Sequence, residues 1–249
     1  MTTQILCLDD SSLITGKGMV VAIGDDDRGE YIVLDRTVFY PQGGGQPADR
    51  GVVINSKGKR FDIAFVGVVD DEVRHYIAGA APDDFERGSM VQMVVDHDDR
   101  VLNSRNHSAG HLLAFAAQEI EPALTPSKGY HFPSGPYVEF IGWPESADLE
   151  AFSQTLEDNL ASRVAKNRPV MSFATTQDKL KQLCTFVPDF IPSGKPIRVM
   201  KVDDEGYPCG GTHVFRTGEI GKISVRKVKY RKGVLRVSYS VDEASEQAD

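Results

Sequence analysis

The chain has 249 residues, a length that suits two modest domains or one large one. Its hydrophobic fraction of 41% and charged fraction of 26% are ordinary for a soluble globular protein, and no stretch approaches the roughly 18 consecutive apolar residues of a membrane span. A formal net charge of −8 argues against a protein that coats nucleic acid non-specifically. The three cysteines are scattered and no secretory signal is recognisable, so we expect a cytoplasmic protein without a disulfide framework.

Residues 1–95 are rich in short alternating or apolar runs, which predict β-strands. Clusters of turn-forming residues separate these runs. The predicted strands cover residues 20–23, 31–34, 51–54, 61–69 and 90–95. Repeated short strands at this spacing predict a small β-barrel or a sandwich.

Residues 96–249 mix helices with strands and predict a second domain, which makes the fold class α+β. The expected elements are a helix over 98–121, a hairpin over 130–141, a helix from an N-cap at Ser146 to Pro169, a strand over 170–174, a short helix over 177–183, a strand over 197–202 and an antiparallel pair over 222–241. The last residues, 243–249, are polar and are expected to fray.

The first predicted helix carries two histidines four residues apart, His107 and His111. Side chains at that spacing project from the same face of a helix and can share one metal ion. Two histidines that each satisfy their own hydrogen bonds would explain this pair equally well. Ser108 stands where a zinc protease needs a glutamate, so protease chemistry is disfavoured.

The segment Cys209-Gly210-Gly211-Thr212-His213 predicts a tight loop, because each glycine would cost a helix ~1 kcal/mol. Alone, such a cysteine is more often a small buried apolar residue than a ligand. Together with the helical pair, the segment completes a tetrahedral zinc set of three histidines and one cysteine. Zinc is favoured over iron because the set mixes nitrogen and sulfur without a carboxylate. We therefore predict one Zn²⁺ per chain, held by His107, His111, Cys209 and His213.

Two further features are less specific. The run 35–51 contains three consecutive glycines, which let backbone N–H groups approach a ligand closely, although an ordinary glycine-rich loop would look the same. Residues 216–236 carry eight basic side chains against one acid in a chain that is otherwise acidic. Such a stripe could contact a few phosphates, or its lysines could protect an edge strand from aggregation; both interpretations stay open.

Taken in chain order, the three motifs resemble the editing region of alanyl-tRNA synthetase and its freestanding relatives, the AlaX-type editing proteins. The resemblance covers about residues 31–239 and indicates the medium-length form. It rests on three blocks: Thr37…Phe39-Tyr40…Gly44-Gly45-Gln46…Asp49…Gly51, His107…His111-Leu112-Leu113, and Cys209…Gly211-Thr212-His213. It implies a small N-terminal β-barrel domain over residues 1–95. A zinc-binding two-layer α/β editing domain with an antiparallel sheet, of the synthetase second-additional-domain type, would follow over residues 96–249.

The resemblance also implies a function: a trans-editing hydrolase that removes serine or glycine from mischarged tRNA(Ala). The four predicted ligands would hold zinc beside the ester, and Thr37 and Gln46 would lie across the cleft from the metal. Ser127 follows the predicted helix that carries His107 and His111, at a distance where relatives place pocket residues. It is therefore a further substrate-binding candidate. The sequence departs from the synthetase pattern at Gly110, where a threonine is usual. Candidate tRNA contacts in the basic stripe are Arg226, Lys229, Arg231 and Lys232.

Several alternatives stay open at this point. Zinc could activate water or polarise the ester, or it could only orient the substrate if four protein ligands saturate it. The substrate could instead be threonine-specific tRNA or another ester, and a zinc-stabilised RNA-binding module without activity is the non-enzymatic alternative. Of the other histidines, His75 and His97 are expected at the surface or in turns. His131 could approach the terminal nucleotide of the tRNA, but a position in a hairpin with a hydrogen-bond partner is favoured.

Overall fold

The computed structural model describes residues 3–79, 82–188 and 197–242. The chain divides into two compact units, Met1–Leu102 and Asn103–Asp249. The division falls within the first long helix, whereas the sequence predicts a domain boundary just ahead of that helix, at residue 95. The fraying predicted for residues 243–249 concerns residues outside the described ranges.

The first unit is built from short antiparallel strands around an apolar core. Six of its strands pair in a closed antiparallel ring in the order β2-β3-β7-β6-β5-β8. The alternation of buried and exposed residues along the last strand shows why the sequence forms it, since side chains of a strand point alternately to its two faces. The strands are β1 (Gln4–Ile5), β2 (Thr15–Asp26), β3 (Gly29–Leu34), β4 (Arg36–Thr37), β5 (Gly51–Ile54), β6 (Arg60–Val69), β7 (Glu72–Ile77) and β8 (Met90–Val95).

The strand β7 is absent from the sequence prediction, and it carries His75. Asp70 and Asp71 both have positive φ angles, 50° and 63°, which is the geometry of a two-residue turn that joins β6 to β7. Val73, His75 and Ile77 are buried along the strand, and His75 is 0% exposed. The expectation of a surface or turn position is therefore wrong for His75. It is confirmed for His97, which is exposed at the start of the first helix.

The second unit combines two antiparallel sheets with helices. A four-stranded sheet has the order β14-β15-β10-β9, and a three-stranded sheet has the order β11-β12-β13. The strands are β9 (Thr125–Tyr130), β10 (Tyr137–Ile141), β11 (Val170–Thr175), β12 (Ile197–Val202), β13 (Glu205–Pro208), β14 (Ile223–Arg231) and β15 (Val234–Val241). The helices are α1 (His97–Ile120), which begins in the first unit, α2 (Leu149–Ala165) and α3 (Leu180–Leu183). The mixed class with antiparallel sheets is confirmed.

The core of the second unit contains residues of α1 and α2, of the inner face of the four-stranded sheet and of the three-stranded sheet. Leu113 of α1, Leu156 of α2 and Phe140 of β10 are each 0% exposed in it. The N-cap of α2 is Asp148, whose carboxylate accepts from the backbone N–H groups of Glu150 and Ala151, so the predicted cap at Ser146 is wrong by two residues. Among the described residues, no helix combines the length and the hydropathy that crossing a membrane requires.

Candidate metal centre

The second unit brings together the four side chains that the sequence pairs as metal ligands. His107 and His111 lie one turn apart on α1, and Cys209 and His213 lie in the loop that follows β13. One nitrogen or sulfur atom from each of the four lies within 4.8 Å of the others. Two segments about a hundred residues apart in sequence thus converge on a volume that one ion would fill.

Local structure explains the convergence. The imidazole rings of His107 and His111 stack with centroids 5.1 Å apart and planes inclined by 13°, because residues i and i+4 share a helix face. The backbone N–H of Cys209 donates to the carbonyl oxygen of Arg198 at 2.9 Å, which anchors the start of the loop to β12. The backbone N–H of Gly211 donates a hydrogen bond to the Cys209 sulfur at 3.4 Å, which closes the turn.

The interatomic distances fit a tetrahedral ion. The Cys209 Sγ atom lies 3.3 Å from Nε2 of His107 and 3.3 Å from Nε2 of His213. Two ligands on zinc, with bonds of ~2.3 Å to sulfur and ~2.0 Å to nitrogen at a tetrahedral angle, would be separated by about 3.5 Å. These two separations are within a few tenths of an ångström of the value that zinc requires, and all four ligand atoms lie within 4.8 Å of one another.

One buried nitrogen of the cluster lacks a protein partner. Nε2 of His111 makes no hydrogen bond to any described residue and is closed off from solvent. An unsatisfied buried polar atom of this kind costs ~1–3 kcal/mol. A metal ion bound to that nitrogen would remove this cost, so the residues present fit a metal.

The electrostatics keep the imidazoles in the form that binds metals. Burial lowers the pKa of His107 and His111 well below the usual value, and it lowers the pKa of His213 to about 3. These rings are therefore neutral at neutral pH, and each has one unprotonated nitrogen, as a metal ligand requires. Burial also raises the pKa of the Cys209 thiol to about 12. A bound cation would reverse that effect on Cys209, because metal ligation favours the thiolate.

Hydroxyl groups on α1 hold the loop with the candidate ligands Cys209 and His213 in place. The Ser108 hydroxyl lies 3.2 Å from Nδ1 of His213 and accepts from the backbone N–H of Val214 at 3.2 Å. Ser104, one turn earlier, shares a hydrogen bond of 2.8 Å with the Thr212 hydroxyl. A partner on Nδ1 leaves Nε2 of His213 for the ion, which is the usual way proteins orient a ligating histidine. The sequence signal was a pair of serines at the same i, i+4 spacing as the histidines.

A fifth imidazole, that of His131, lies against the cluster. Its ring stacks on His107 with centroids 4.6 Å apart, and burial lowers its pKa to about 4. The Tyr239 hydroxyl donates to the carbonyl oxygen of Asn106 at 2.8 Å, so Nδ1 of His131 must be the donor in its own 2.8 Å bond to that hydroxyl. Nε2 of His131 therefore carries a lone pair. The predicted hydrogen-bonded hairpin histidine is confirmed, but its place beside the candidate metal ligands was missed.

Glycines make room for this fifth ring. A Cβ atom at Gly110 would lie 2.3 Å from Cε1 of His131, and one at Gly129 would lie 2.5 Å from its Nε2. Distances this short are not seen between real Cβ atoms and their neighbours. The glycine at position 110, where the synthetase pattern has threonine, is thus explained by the ring that packs on it.

The substrate-binding candidates of the first unit are engaged in contacts of that unit. Thr37 is 0% exposed; its hydroxyl lies 2.8 Å from Nε2 of His75 and accepts from the backbone N–H of Phe39. Gln46 is also 0% exposed, and its backbone exchanges hydrogen bonds with that of Gly43 to close the glycine-rich turn. In the second unit, Ser127 is exposed at a bulge of β9, where the register with β10 shifts.

The sequence missed one buried ion pair of the first unit. Asp49, part of the glycine-rich block, is 0% exposed and pairs with the guanidinium of Arg100 on α1. Arg100 also donates to the carbonyl oxygen of Val38 at 2.7 Å and to that of Ser11 at 2.8 Å. The pair thereby ties the glycine-rich block to the first turn of α1. No local spacing could reveal a contact across 51 residues.

Comparisons with known proteins place the two units in one class. Residues 11–99 match the family model described as tRNA synthetases class II (A). Residues 197–238 match the model described as the threonyl and alanyl tRNA synthetase second additional domain. A segment of each unit is thus similar to a tRNA synthetase family model, and the second segment contains Cys209 and His213.

Individual relatives narrow this class. The alanine–tRNA ligase of Archaeoglobus fulgidus is 32% identical over 99% of this chain and 26% of its own length, and that of Methanoregula boonei is 33% identical over 87% and 23%. The chain thus spans about a quarter of these ligases. The alanyl-tRNA editing protein AlaX-M of Methanosarcina acetivorans is 29% identical over 91% of this chain and 94% of its own length. The chain is a relative of the AlaX-type alanyl-tRNA editing proteins, which confirms the resemblance.

Proposed function

We propose that the protein is a trans-editing hydrolase that deacylates tRNA(Ala) mischarged with serine or glycine, with one Zn²⁺ per chain. The observation that carries the proposal is the convergence of His107, His111, Cys209 and His213 in a chain similar to AlaX-M along nearly the full length of both. Three neutral imidazoles and one thiol match zinc better than harder, oxygen-preferring ions.

Such an enzyme is needed because a pocket for alanine discriminates poorly against glycine and serine. A pocket that accepts alanine cannot exclude the smaller glycine, and an apolar pocket rejects an added hydroxyl only weakly. A second site that hydrolyses the wrong ester restores fidelity. To spare alanine, that site must pair the serine hydroxyl with polar groups that alanine leaves unsatisfied, at ~1–3 kcal/mol each.

The chain's own residues supply the positioning. Ser108 and Ser104 fix the ligand loop against α1, and Tyr239 holds the His131 ring beside His107. When bound, zinc would polarise the ester carbonyl or lower the pKa of a water, or it would orient the ester if the four ligands saturate it. The lone pair on Nε2 of His131 can accept a hydrogen bond from a donor group placed next to the cluster.

We retain Thr37, Gln46 and Ser127 as candidate contacts of the aminoacyl group. Replacing one that pairs with the serine hydroxyl should lower kcat/KM for seryl-tRNA by about tenfold for every 1.4 kcal/mol lost. Hydrolysis of glycyl-tRNA should change little, because glycine has no side-chain hydroxyl.

A deacylation assay tests the proposal directly. Alanine tRNA charged with serine, glycine or alanine is incubated with the protein, with and without a zinc chelator, and threonine tRNA charged with serine serves as a further substrate. We expect hydrolysis of the first two esters, sparing of alanyl-tRNA, and loss of activity on chelation. Binding of alanine tRNA without turnover of any ester would favour an RNA-binding module instead. The proposed location is the cytoplasm, where charged tRNA is used.

A further inference from the structure

The four-stranded sheet of the second unit has one covered and one open face. Val138 and Phe140 of β10 and Leu235 and Val237 of β15 are buried in the core. Because side chains alternate along a strand, the intervening residues form the opposite face. We call this the outer sheet face; its members include Lys128, Tyr130, Tyr137, Glu139, Lys227, Lys229, Arg231, Arg236 and Ser238, and it also carries the apolar Ile141 and Val234.

The strand register arranges eight of these side chains in two rows across all four strands, and Arg231 lies beyond them, opposite Val234. One row runs from Lys227 through Ser238 and Tyr137 to Tyr130. The next row runs from Lys229 through Arg236 and Glu139 to Lys128. Directly opposed residues of antiparallel strands share a face, so both rows lie on the same surface.

Positive charge dominates the outer sheet face. It carries five cations against one carboxylate, that of Glu139, which accepts from Arg236 at 2.6 Å. Among the described residues, Lys227, Lys229 and Arg231 pair with no carboxylate, and all three are exposed. A side-chain hydrogen bond with Lys227, and then the positive charge of that residue, lower the pKa of Lys229, so the two ammonium groups lie close together.

Aromatic rings set the direction of two of the cations. The guanidinium of Arg236 lies 4.1 Å from the ring centroid of Tyr137, and the ammonium of Lys128 lies 5.8 Å from it. Tyr130 stacks on Tyr137 with centroids 5.3 Å apart and on Phe132 with centroids 4.5 Å apart. A surface of cations interleaved with half-buried aromatic rings is typical of proteins that bind nucleic acid strands.

The distribution favours one of the two interpretations of the basic stripe. Lysines that only protect edges would be confined to the two edge strands of this sheet, β14 and β9. Here Arg236 adds a cation on the interior strand β15, in the row that connects Lys229 on β14 with Lys128 on β9. Lys227, Lys229 and Arg231 alone cover about 13 Å along β14, since alternate residues of a strand lie ~6.7 Å apart. The pattern is a surface, and a line of phosphates fits it.

We infer that the outer sheet face binds the sugar–phosphate backbone of tRNA, with Lys227, Lys229, Arg231, Arg236 and Lys128 as phosphate contacts. The inference rests on the proposed function for the identity of the polyanion. Lys227, Arg236 and Lys128 are added to the tRNA contacts that the sequence predicts. Of the predicted contacts, Arg226 lies at the bulge of β14 and Lys232 lies in the turn after β14, so neither is assigned a phosphate contact on this face.

Binding of uncharged alanine tRNA over a range of salt concentrations tests this surface. The variant combines Lys227→Ala, Lys229→Ala and Arg231→Ala. The control combines Lys57→Ala, Lys179→Ala and Lys181→Ala, three exposed positions with the same total change of charge. We expect the variant to lose about 10- to 100-fold in affinity, with a slope of log K against log salt that is smaller by about 2–3, because each lost phosphate contact removes ~0.7–0.9.

Equal tRNA affinity and equal salt slope in the variant and the control would overturn the inference. So would a variant that loses binding to vesicles containing phosphatidylserine but keeps its binding to tRNA, since the surface would then serve a membrane. Metal content and thermal unfolding should match between the two proteins. If neither protein hydrolyses any mischarged tRNA but only the variant binds tRNA weakly, the proposed function fails and the surface assignment stands.

Discussion

Each unit of the protein buries a cluster of polar side chains, and the two clusters differ in how they are satisfied. In the first unit, the Asp49 carboxylate meets the Arg100 guanidinium, and the Thr37 hydroxyl meets His75. In the second unit, three imidazoles and a thiol face one another, and Nε2 of His111 has no partner among the described residues. The first cluster has its charges and hydrogen bonds matched within the chain. The second is a set of electron-pair donors that a cation would complete.

This contrast separates two uses of buried polarity. A matched cluster stabilises its unit only as long as both partners remain, because an uncompensated buried charge costs several kcal/mol. A donor cluster gains its stability from an ion and loses it when the ion leaves. The predictions below probe each cluster in turn, beginning with the largest effect.

Replacing Cys209 with alanine should abolish stoichiometric zinc binding. Losing a direct ligand should cost more than the ~10–100-fold in affinity that follows loss of an outer hydrogen-bond partner. The measurement is competition for zinc against a chromogenic chelator. Cys184→Ala is the matched control, since Cys184 is a half-buried free cysteine outside the cluster. Equal zinc affinity of the two variants would contradict the donor-cluster interpretation.

Replacing Asp49 with asparagine should destabilise the protein by ~3–5 kcal/mol, because Arg100 would remain buried without its counter-charge. Urea unfolding measures this change. Asp99→Asn is the control: Asp99 pairs with Arg50, whose side chain is 67% exposed, and such surface pairs contribute ~0–1 kcal/mol. Similar losses in both variants would mean that the Asp49–Arg100 pair is not a matched buried pair.

The free energy of unfolding should fall as the pH drops from 6.5 towards 4, in part because of His75. Burial lowers the pKa of His75 to about 4 from its usual 6.5, so the unfolded chain takes up a proton in this range before the folded chain does. The stabilisation is present in full above pH 6.5 and amounts to about 3 kcal/mol. His75→Gln should flatten the pH dependence within this window, whereas His97→Gln, at an exposed position, should leave it unchanged.

Gly110→Ala should destabilise the second unit by ~1–3 kcal/mol, the cost of overpacking a filled site. Helix propensity alone predicts the opposite sign, because alanine is better than glycine in a helix by ~1 kcal/mol. The new methyl group would displace the His131 ring, which the NMR chemical shifts of that ring would report. A more stable variant with unchanged shifts would contradict the packing account; Gly135→Ala, with nothing within 4 Å, is the neutral control.

The sequence predicts those features that local spacing encodes. The i, i+4 pair of histidines and the Cys-Gly-Gly-Thr-His loop each have a geometry that is set within five residues. Their order along the chain matches that of the editing proteins, and this match predicted that the two motifs form one site. Strands such as β8 were predicted because their alternation is regular. The strand β7 was missed because Glu72 and Arg74 flank its buried positions and a histidine takes one of them.

Features that depend on contacts distant in sequence could not be predicted. The pairing of Asp49 with Arg100 and the stacking of His131 on His107 join residues that only the folded chain brings together. The N-cap at Asp148 rather than Ser146 shows the same limit on a smaller scale, since both residue types cap helices equally well. The residues of the outer sheet face could be identified only from the strand register, because a shift of one residue would move each side chain to the opposite face.

Elemental analysis of the purified protein by mass spectrometry, without added metal and after dialysis, tests the central claim most directly. We expect one zinc ion per chain, and none in the Cys209→Ala variant prepared in parallel. Protein that is folded and hydrolyses seryl-tRNA(Ala) at full rate with no stoichiometric transition metal would contradict the account.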